Sequence, residues 1–339
     1  MWWAVGEPSV LGVRAIAQQV YGSAAMLTAV EVGRPSVGAG EVLVRVRASS
    51  VNARDWHVMR GDPKIARWMD RSVFGRQGPA NPVPGGDFAG TVEAVGDGVA
   101  DLAVGEEVFG EAVSGAFAEY IAVPRALLDR KPANLSFEEA AAVPLAANTA
   151  LTCLRHVGEG ERVLIIGASG GVGTFAVQIA RARGAQVTGV CSTRNVEAAR
   201  ALGAEHVVDY TRDTVTGRYD TVLDLAGTRN LRALLRLVEP TGTLVLSGGG
   251  NFDGGSWFGP VGLLARGQLA RPFVKPAIRV PTAEQTSESL TELRELIESG
   301  LLRPAIDRTY PLAETPAAIE YMETEHARAK IVITVASAD

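Results

Sequence analysis

Residues 49–57 read Ser-Ser-Val-Asn-Ala-Arg-Asp-Trp-His, and Asn52, Arg54, Asp55 and His57 fall within the last six positions. Asn52, Arg54, Asp55 and His57 follow an alternating apolar run that predicts a strand. The amide of Asn52 could donate a hydrogen bond, and the imidazole of His57 could transfer a proton near neutral pH. Polar residues at a strand end occur in working sites and in solvated turns, so both interpretations stay open.

The strongest motif is residues 163–173, Val-Leu-Ile-Ile-Gly-Ala-Ser-Gly-Gly-Val-Gly, which a predicted helix over 174–183 follows. An apolar strand, a glycine-rich turn and a helix start are the context of a phosphate-binding loop. Glycines let the backbone approach a pyrophosphate, and the first helical N–H groups attract its charge. A tight structural turn alone does not account for so many glycines. The pattern therefore predicts a dinucleotide site.

The end of the next predicted strand bears on which dinucleotide binds. An NAD site usually carries Asp or Glu there, about 20 residues beyond the glycines, to bind the ribose 2′-hydroxyl. Residues 190–195 read Val-Cys-Ser-Thr-Arg-Asn and contain no acid. The hydroxyls of Ser192 and Thr193 and the guanidinium of Arg194 suit a 2′-phosphate, so NADPH is the predicted cofactor. As alternatives, Arg194 is a solvated loop charge, and we interpret Asn195 as a helix N-cap.

Two patterns divide the 339 residues, which exceed what one hydrophobic core usually serves. After an extension at 1–12, short strands separated by glycine turns fill 13–145 and predict a β-rich domain. Alternating strands and helices over 146–282 predict a doubly wound parallel sheet, so the fold class is α/β. The remainder, 283–339, is assigned to the β-rich domain, because its final strand over 330–335 has no obvious place in the parallel sheet.

Composition excludes several classes of function. The net charge of −5 and the pI near 5.6 argue against nucleic acid or an anionic membrane as the main partner. The N-terminal sequence has neither the basic nor the apolar region of a secretory signal, and no apolar stretch is long enough to span a bilayer. Cys153 and Cys191 stand far apart, which predicts buried thiols in a reducing compartment rather than a zinc or disulfide framework. A cytoplasmic location is expected.

The order of a β-rich domain, an αβ domain and a returning strand resembles the medium-chain dehydrogenase/reductase superfamily. Within it the chain is most similar to the zinc-independent quinone oxidoreductase branch. The resemblance implies a GroES-like catalytic domain joined to a Rossmann NADP-binding domain. The motifs that carry it lie at 40–46, 50–55, 84–90, 168–173, 202–204, 208–210 and 329–332.

The resemblance implies hydride transfer without a metal ion. Zinc enzymes of the superfamily carry a cysteine ligand where Asn52 stands and a histidine ligand where Gly86 stands, so a catalytic zinc is not expected. NADPH would then reduce a quinone or an α,β-unsaturated carbonyl, whose oxygen needs hydrogen-bond donors as charge gathers on it. The alternatives are an alcohol or aldehyde dehydrogenase of the same superfamily, and a non-catalytic NADPH-binding sensor or scaffold.

The resemblance also gives roles to the residues of the opening stretch. It places Asn52 beside the nicotinamide, where the amide would donate to the acceptor oxygen or the ribose; the alternative is an Asn that forms a turn. His57 stands where many relatives have a tyrosine that lines the site, so it is either a proton donor or a polar pocket wall. Asp55 is expected to be structural, through bonds to backbone N–H groups or to Arg54. Asn52 and His57 are the predicted catalytic residues.

Further cofactor contacts follow from the family pattern. Thr149 matches a threonine near the nicotinamide carboxamide, and Tyr210 matches a tyrosine near the adenosine phosphate, or is simply a strand-end aromatic. Lys330 either reaches the cofactor or, as we expect, lies on the surface. The complete predicted set is Thr149, Ala168, Ser169, Gly170, Gly171, Val172, Gly173, Ser192, Thr193, Arg194, Tyr210, Gly248 and Gly249.

Two surface features are expected beyond the site. Residues 62–82 are long for a connection and rich in Trp, Met and Phe, so they form either a lid over an apolar acceptor or a plain surface excursion. The resemblance implies a homodimer formed through the edge strand of the αβ domain, with 244–247 and 263–273 as candidate contact regions.

Overall fold

A computed structural model describes residues 12–248, 255, 257–325 and 328–336 of the chain. The predicted extension lies outside the described residues apart from Gly12, where the first strand begins. No helix in these ranges is long and apolar enough to cross a membrane.

The regular elements follow the chain in this order. The strands are β1 Gly12–Ala17, β2 Thr28–Gly33, β3 Glu41–Val51, β4 Asp87–Val95, β5 Glu107–Glu111, β6 Tyr120–Pro124, β7 Leu128–Arg130, β8 Arg162–Ile166, β9 Gln186–Cys191, β10 His206–Asp209, β11 Tyr219–Asp224, β12 Val238–Leu246, β13 Ala277–Arg279, β14 Ile306–Pro311 and β15 Lys330–Thr334. The α-helices are α1 Ala53–Arg60, α2 Ala66–Met69, α3 Phe137–Ala141, α4 Pro144–Leu154, α5 Gly171–Ala182, α6 Val196–Ala201, α7 Leu231–Arg236, α8 Gly259–Ala270, α9 Ser287–Glu298 and α10 Thr315–Glu325. Short 3₁₀ turns lie at Ala24–Met26, Arg125–Leu127, Thr193–Asn195, Arg271–Phe273 and Leu312–Glu314.

The chain divides into two compact units. The first unit runs up to Leu145 and includes Gln285–Ser299 and the chain from Pro304 onward. The second unit consists of Ala146–Glu284 and Gly300–Arg303.

The first unit is built on a sheet in the order β14-β15-β3-β4-β5-β7, with β6 also paired to β3 and with β1 and β2 forming a separate antiparallel pair. The alternation in β3 places Val42, Val44 and Val46 in one buried cluster, which Phe88 of β4 and Val108 of β5 complete. The apolar face predicted for β3 is thus the face that packs in the core.

The second unit is a parallel sheet in the order β10-β9-β8-β11-β12-β13. With β8 as the first strand of the unit, this is the 3-2-1-4-5-6 order of a dinucleotide-binding sheet. Leu164, Val222 and Leu244 from neighbouring strands share one buried cluster. The order reverses between β8 and β11, and ligands of such sheets bind outside the carboxyl ends of the strands at that point.

The last strand returns to the first unit, as its sequence position suggested. β15 pairs antiparallel with β3, and Ile331 lies opposite Val51. One expected dimer contact is wrong: residues 244–247 cannot offer a free strand edge, because β12 has β11 on one side and β13 on the other, with Leu244 opposite Ile278. The edge strand at that side is β13.

Residues 62–82 contain α2 and an isolated bridge between Phe74 and Pro79. The hydroxyl of Tyr21 donates to the carbonyl of Gly75 at 2.8 Å, which ties this segment to the start of the first unit. The side chain of Trp68 is 73% exposed. The lid stays a prediction.

Phe175 and Phe258 give a matched test of the core of the second unit. Phe175 of α5 is fully buried, whereas Phe258 is 59% exposed. We expect Phe175→Ala to lower the free energy of unfolding by about 3–5 kcal/mol, since it deletes a buried aromatic ring. Phe258→Ala should change it by less than about 0.5 kcal/mol. Urea denaturation measures both, and equal losses would contradict the described packing.

Candidate active site

Asp87 is the centre of a buried polar network in the first unit. It begins β4, lies opposite Ser50 of β3 and is completely buried. Both carboxylate oxygens accept hydrogen bonds, as a buried charge requires. The donors are the Ser50 hydroxyl at 2.8 Å, Asn52 Nδ2 at 2.9 Å, Lys330 Nζ at 3.3 Å and, on the other oxygen, the Leu145 N–H at 3.0 Å.

Asn52 is held in one orientation by this network. Lys330 Nζ donates to Asn52 Oδ1 at 2.5 Å, and Asn52 Nδ2 donates to Asp87. A lysine has only donors and an ionised carboxylate only acceptors, so the positions of the amide oxygen and nitrogen cannot be exchanged. Nδ2 carries two N–H groups, and one of them is committed to Asp87. Asn52 can therefore offer one further N–H to a bound molecule.

Lys330 lies in this network and not on the surface, so the expectation of a surface lysine is wrong. Its side chain is only 2% exposed. The cause is the return of β15: because Ile331 pairs with Val51, the preceding residue lies beside Asn52. The ammonium group then supplies the positive charge that the buried Asp87 needs.

Asp55 holds the start of α1. Its carboxylate accepts the backbone N–H of Asn52 at 2.8 Å, which is the structural role expected for it. Burial, above all, raises the pKa of Asp55 to about 6, although the guanidinium of Arg54 and the bond from Asn52 act in the opposite direction. A raised pKa is invisible in the sequence, because it depends on how deeply the folded chain buries the group.

Glu111 is a second carboxyl of this kind, and the sequence analysis missed it. It lies across the β4–β5 ladder from Asp87. Burial, and then the charge of Asp87, raise the pKa of Glu111 to about 7. Its carboxylate accepts from Gln285 Nε2 at 2.6 Å and from Arg54. The alternation of β5 can predict on which face of the sheet Glu111 lies. Its position beside Asp87 follows only from the pairing of β4 with β5.

Arg54 fills the space beside Gly86. Its guanidinium donates to Glu111 at 2.9 Å and to the carbonyl of Ala112 at 2.8 Å. A Cβ added at Gly86 would stand 2.1 Å from Arg54 Nη2. Any side chain at position 86 would therefore have to displace the guanidinium.

His57 is turned toward its own helix end. His57 Nδ1 lies 2.8 Å from the carbonyl of Asp62, so the proton on Nδ1 is donated to that oxygen. In the neutral ring Nε2 is then an acceptor, and only the imidazolium form can donate from it. Asn52 stands at the N-cap of α1 with extended backbone, whereas His57 lies within the helix.

The glycine-rich loop of the second unit has the predicted strand–turn–helix form. Gly167 follows β8 with φ of 92°, and α5 begins at Gly171. A Cβ at Gly173 would lie 2.1 Å from the carbonyl oxygen of Gly167, so the helix can pack on the turn only with glycine there. A Cβ at Gly170 would meet only the carbonyl oxygen of Gly167, at 3.6 Å, which is ordinary van der Waals contact.

Asn195 connects this loop with the end of β9. Its amide Nδ2 donates to the hydroxyls of Ser169 at 3.0 Å and Ser192 at 3.2 Å. Asn195 stands at the N-cap position of α6, as interpreted from the sequence, but its side chain makes no capping hydrogen bond. Its bonds draw together two members of the predicted cofactor set.

The other predicted cofactor residues are spread over the second unit. Thr149 is half-buried on α4, Tyr210 is exposed after β10, and Gly248 follows β12 with φ of 76°. Gly249 lies outside the described residues. No contact joins Thr149 or Tyr210 to the glycine-rich loop among the hydrogen bonds of the described chain.

Comparisons with known proteins agree with this architecture. A family model described as "Alcohol dehydrogenase GroES-like domain" matches residues 38–133, and one described as "Zinc-binding dehydrogenase" matches 202–333. The chain is 34% identical over 335 residues to "NAD(P)H oxidoreductase RTN4IP1, mitochondrial" of Mus musculus, covering 87% of this chain and 82% of the mouse protein. The chain belongs to the quinone oxidoreductase-like branch of the medium-chain dehydrogenase/reductase superfamily.

Further relatives lie in the same superfamily. The chain is 30% identical over 317 residues to "NADPH-dependent alkenal/one oxidoreductase, chloroplastic" of Arabidopsis thaliana, covering 88% of this chain and 73% of that protein. The structure of the quinone oxidoreductase from Coxiella burnetii matches with a TM-score of 0.83 and 28% identity, over 96% of this chain and 100% of that one. The predictions of the family, of a GroES-like unit with a Rossmann unit and of an oxidoreductase are confirmed.

The second unit contains features that fit the nicotinamide dinucleotide of this superfamily. Asp224 ends β11, next to the point where the strand order reverses, and its Oδ2 is buried without a hydrogen-bond partner among the described residues. Such an acceptor calls for a donor from a bound molecule or water. The absence of a side chain at Gly170 is a second feature that fits a bound dinucleotide, because a pyrophosphate requires close approach of the backbone.

The first unit offers no comparable set for a metal ion. Among the residues that the structure describes, no group of three or more His, Cys, Asp and Glu side chains could hold one. At the position of the superfamily's histidine ligand, the guanidinium of Arg54 takes the space that a side chain at Gly86 would need.

The two loop glycines predict separable effects. Gly173→Ala should destabilise the second unit, because its Cβ would overlap the Gly167 carbonyl. Gly170→Ala should fold like the wild type, since its φ of −80° suits alanine, yet bind NADPH at least about ten-fold more weakly. Thermal unfolding and calorimetric titration with NADPH measure the two effects. Unchanged NADPH affinity in a folded Gly170→Ala variant would contradict the proposed phosphate loop.

Glu111 predicts a pH dependence of stability. Its pKa rises from 4.5 to about 7 on folding, so the folded state holds the proton more tightly and stability falls as pH rises through that window. Glu111→Gln removes this contribution. The difference in unfolding free energy, variant minus wild type, should therefore increase between about pH 4.5 and about pH 7. Glu31→Gln, an exposed acid of the same unit, is the control, and a pH-independent difference for Glu111→Gln would refute the prediction.

Proposed function

We propose that this protein is an NADPH-dependent, metal-free reductase of quinones or α,β-unsaturated carbonyl compounds. The observation that carries the proposal is the fixed amide of Asn52, with one N–H left for an acceptor oxygen. The relatives support the acceptor class, since one is named as an alkenal/one oxidoreductase and a structural neighbour as a quinone oxidoreductase.

In this proposal the second unit binds the cofactor. The free N–H groups at the start of α5 and the open backbone at Gly170 would hold the pyrophosphate. Ser192 and Arg194 would hold the adenosine end, with Asn195 fixing Ser192. When bound, the reduced nicotinamide supplies the hydride.

The first unit supplies the groups that act on the acceptor. As a conjugated carbonyl or a quinone is reduced, negative charge gathers on oxygen, and a preorganised donor stabilises it without rearrangement. The remaining N–H of Asn52 is such a donor. Lys330 and Asp87 would act by positioning Asn52. Lys330 binds the amide oxygen and Asp87 accepts from the amide nitrogen, so the amide loses little rotational freedom when it donates to the acceptor.

The proton that completes the reduction is assigned to His57. Because Nδ1 donates to the carbonyl of Asp62, proton delivery falls to Nε2 of the imidazolium. Turnover should then fall in His57→Phe, because phenylalanine has no proton to transfer. Delivery by water is the alternative, and it predicts no such dependence on residue 57.

The proposal includes a homodimer and a cytoplasmic location. The exposed side chains of Leu269 and Phe273, on and just after α8, support an interface in the 263–273 region. The cytoplasmic location stays a prediction, and relatives of this branch carry the designations "mitochondrial" and "chloroplastic" in their names.

Asn52→Ala should lower kcat about 100-fold, because it removes one preorganised donor to the acceptor oxygen. The dissociation constant of NADPH should stay within about two-fold, since the phosphate loop is untouched. Loss of reduced-nicotinamide absorbance with quinones, enones, aldehydes and ketones measures turnover, and calorimetry measures binding.

The controls separate this function from its alternatives. Asn134→Ala removes an amide of the same unit that donates to the Ile297 carbonyl at 2.9 Å, and it should leave kcat unchanged. Turnover of simple alcohols that needs added zinc would instead indicate an alcohol dehydrogenase. NADPH binding without turnover of any acceptor would indicate a binding protein.

A further inference from the structure

The end of β9 has an acid beside it that the sequence does not show. Asp209 ends β10 and lies opposite Cys191 in the parallel ladder. Its side chain is largely buried and points back to the neighbouring strand end. Thr193 Oγ1 donates to Asp209 Oδ2 at 2.5 Å, and Thr211 Oγ1 donates to Asp209 Oδ1 at 2.7 Å. Strand pairing thus places a carboxylate at the predicted 2′-phosphate site.

The hydroxyl proton of Thr193 is therefore already used. A threonine hydroxyl has one donor and two acceptor positions. With its proton on Asp209, Thr193 can only accept further hydrogen bonds, and the hydroxyl of Thr211, 2.8 Å away, can occupy one of its two acceptor positions. A phosphate near neutral pH offers mainly acceptor oxygens, whereas a ribose 2′-hydroxyl offers a donor. Thr193 in this state matches the unphosphorylated ribose.

The charge of Asp209 acts in the same direction. The bond from Thr193, first among several causes, lowers the pKa of Asp209 and keeps it ionised. Burial, and then the charge of Asp209, raise the pKa of the Cys191 thiol. The carboxylate therefore acts electrostatically on the end of β9. One cation near the carboxylate is Arg212, whose Nε lies 3.7 Å from it and whose side chain is well exposed. An exposed cation at that distance screens the carboxylate only in part.

We propose that Asp209, acting through Thr193, is a specificity residue that weakens binding of the 2′-phosphate and admits NADH beside NADPH. The inference rests on the proposed function only in that the second unit binds a nicotinamide dinucleotide. Arg194 and Ser192 favour the phosphorylated cofactor, and Asp209 opposes them. The preference for NADPH then depends on opposing effects of residues at the ends of two neighbouring strands, β9 and β10.

The test uses the intact chain and two small probes of the adenosine site. Adenosine 2′,5′-bisphosphate carries the 2′-phosphate, and adenosine 5′-monophosphate carries the free 2′-hydroxyl. Calorimetric titration gives the dissociation constant of each, and NADPH and NADH are titrated alongside. We expect Asp209→Asn to bind the bisphosphate about five-fold more tightly, because a nearby negative charge is removed. Its affinity for the monophosphate should change by less than about two-fold.

Two further variants complete the design. Asp213→Asn removes an equal charge from an exposed position four residues away and should leave the ratio of the two affinities unchanged. Thr193→Val deletes the hydroxyl, so it should weaken the monophosphate about three-fold and spare the bisphosphate. This variant keeps the inference testable if Asp209→Asn unfolds.

The outcomes divide cleanly. The inference is supported if two results are found together. The affinity for the bisphosphate relative to the monophosphate rises only in Asp209→Asn, and the affinity for the monophosphate falls in Thr193→Val. An unchanged ratio, or weaker bisphosphate binding in Asp209→Asn, overturns it while the proposed function stands. A wild-type chain that binds neither probe nor either dinucleotide overturns the inference together with the proposed function.

Discussion

The first unit depends on the neutralisation of one buried charge. Asp87 is fully buried, and a carboxylate in that environment persists only with a cation and several hydrogen-bond donors. Lys330 provides the cation, and Ser50, Asn52 and Leu145 provide further donors. Breaking a buried ion pair by removing one partner typically costs about 3–5 kcal/mol. The strand register of β15, β3 and β4 is thereby linked to an electrostatic requirement as well as to apolar packing.

The same requirement orients the amide of Asn52, which the proposed reaction uses. The ammonium and the carboxylate face the two ends of one amide, so Asn52 is oriented by charges that are present before any substrate arrives. A second cation, Arg54, lies over Gly86 and joins the network through Glu111. Three carboxyls and two cations share this region, and the raised pKa values of Asp55 and Glu111 show that burial has made ionisation costly there.

Features encoded by neighbouring residues could be predicted from the sequence. The glycine loop, the alternation of β3 and the strand–helix rhythm of the second unit are local patterns, and the structure contains each of them. Local patterns do not predict the roles of three residues, because these roles depend on which strands become neighbours. They are Lys330, Glu111 and Asp209. Lys330 meets Asn52 across 278 positions, and Asp209 meets Thr193 across 16. Asn195 is a further example. Its sequence position predicts a helix cap, but in the fold its amide donates to the hydroxyls of Ser169 and Ser192.

The return of β15 also has a consequence for the order in which the protein matures. Synthesis delivers β3, β4 and α1 long before Lys330 is added to the chain. Until then Asp87 has no ammonium partner, and the amide of Asn52 has nothing to hold its oxygen. We therefore expect the strands around Asp87 to pack fully only after β15 has been added. The first unit would complete its folding later in synthesis than the second, whose sheet is complete once β13 has been made.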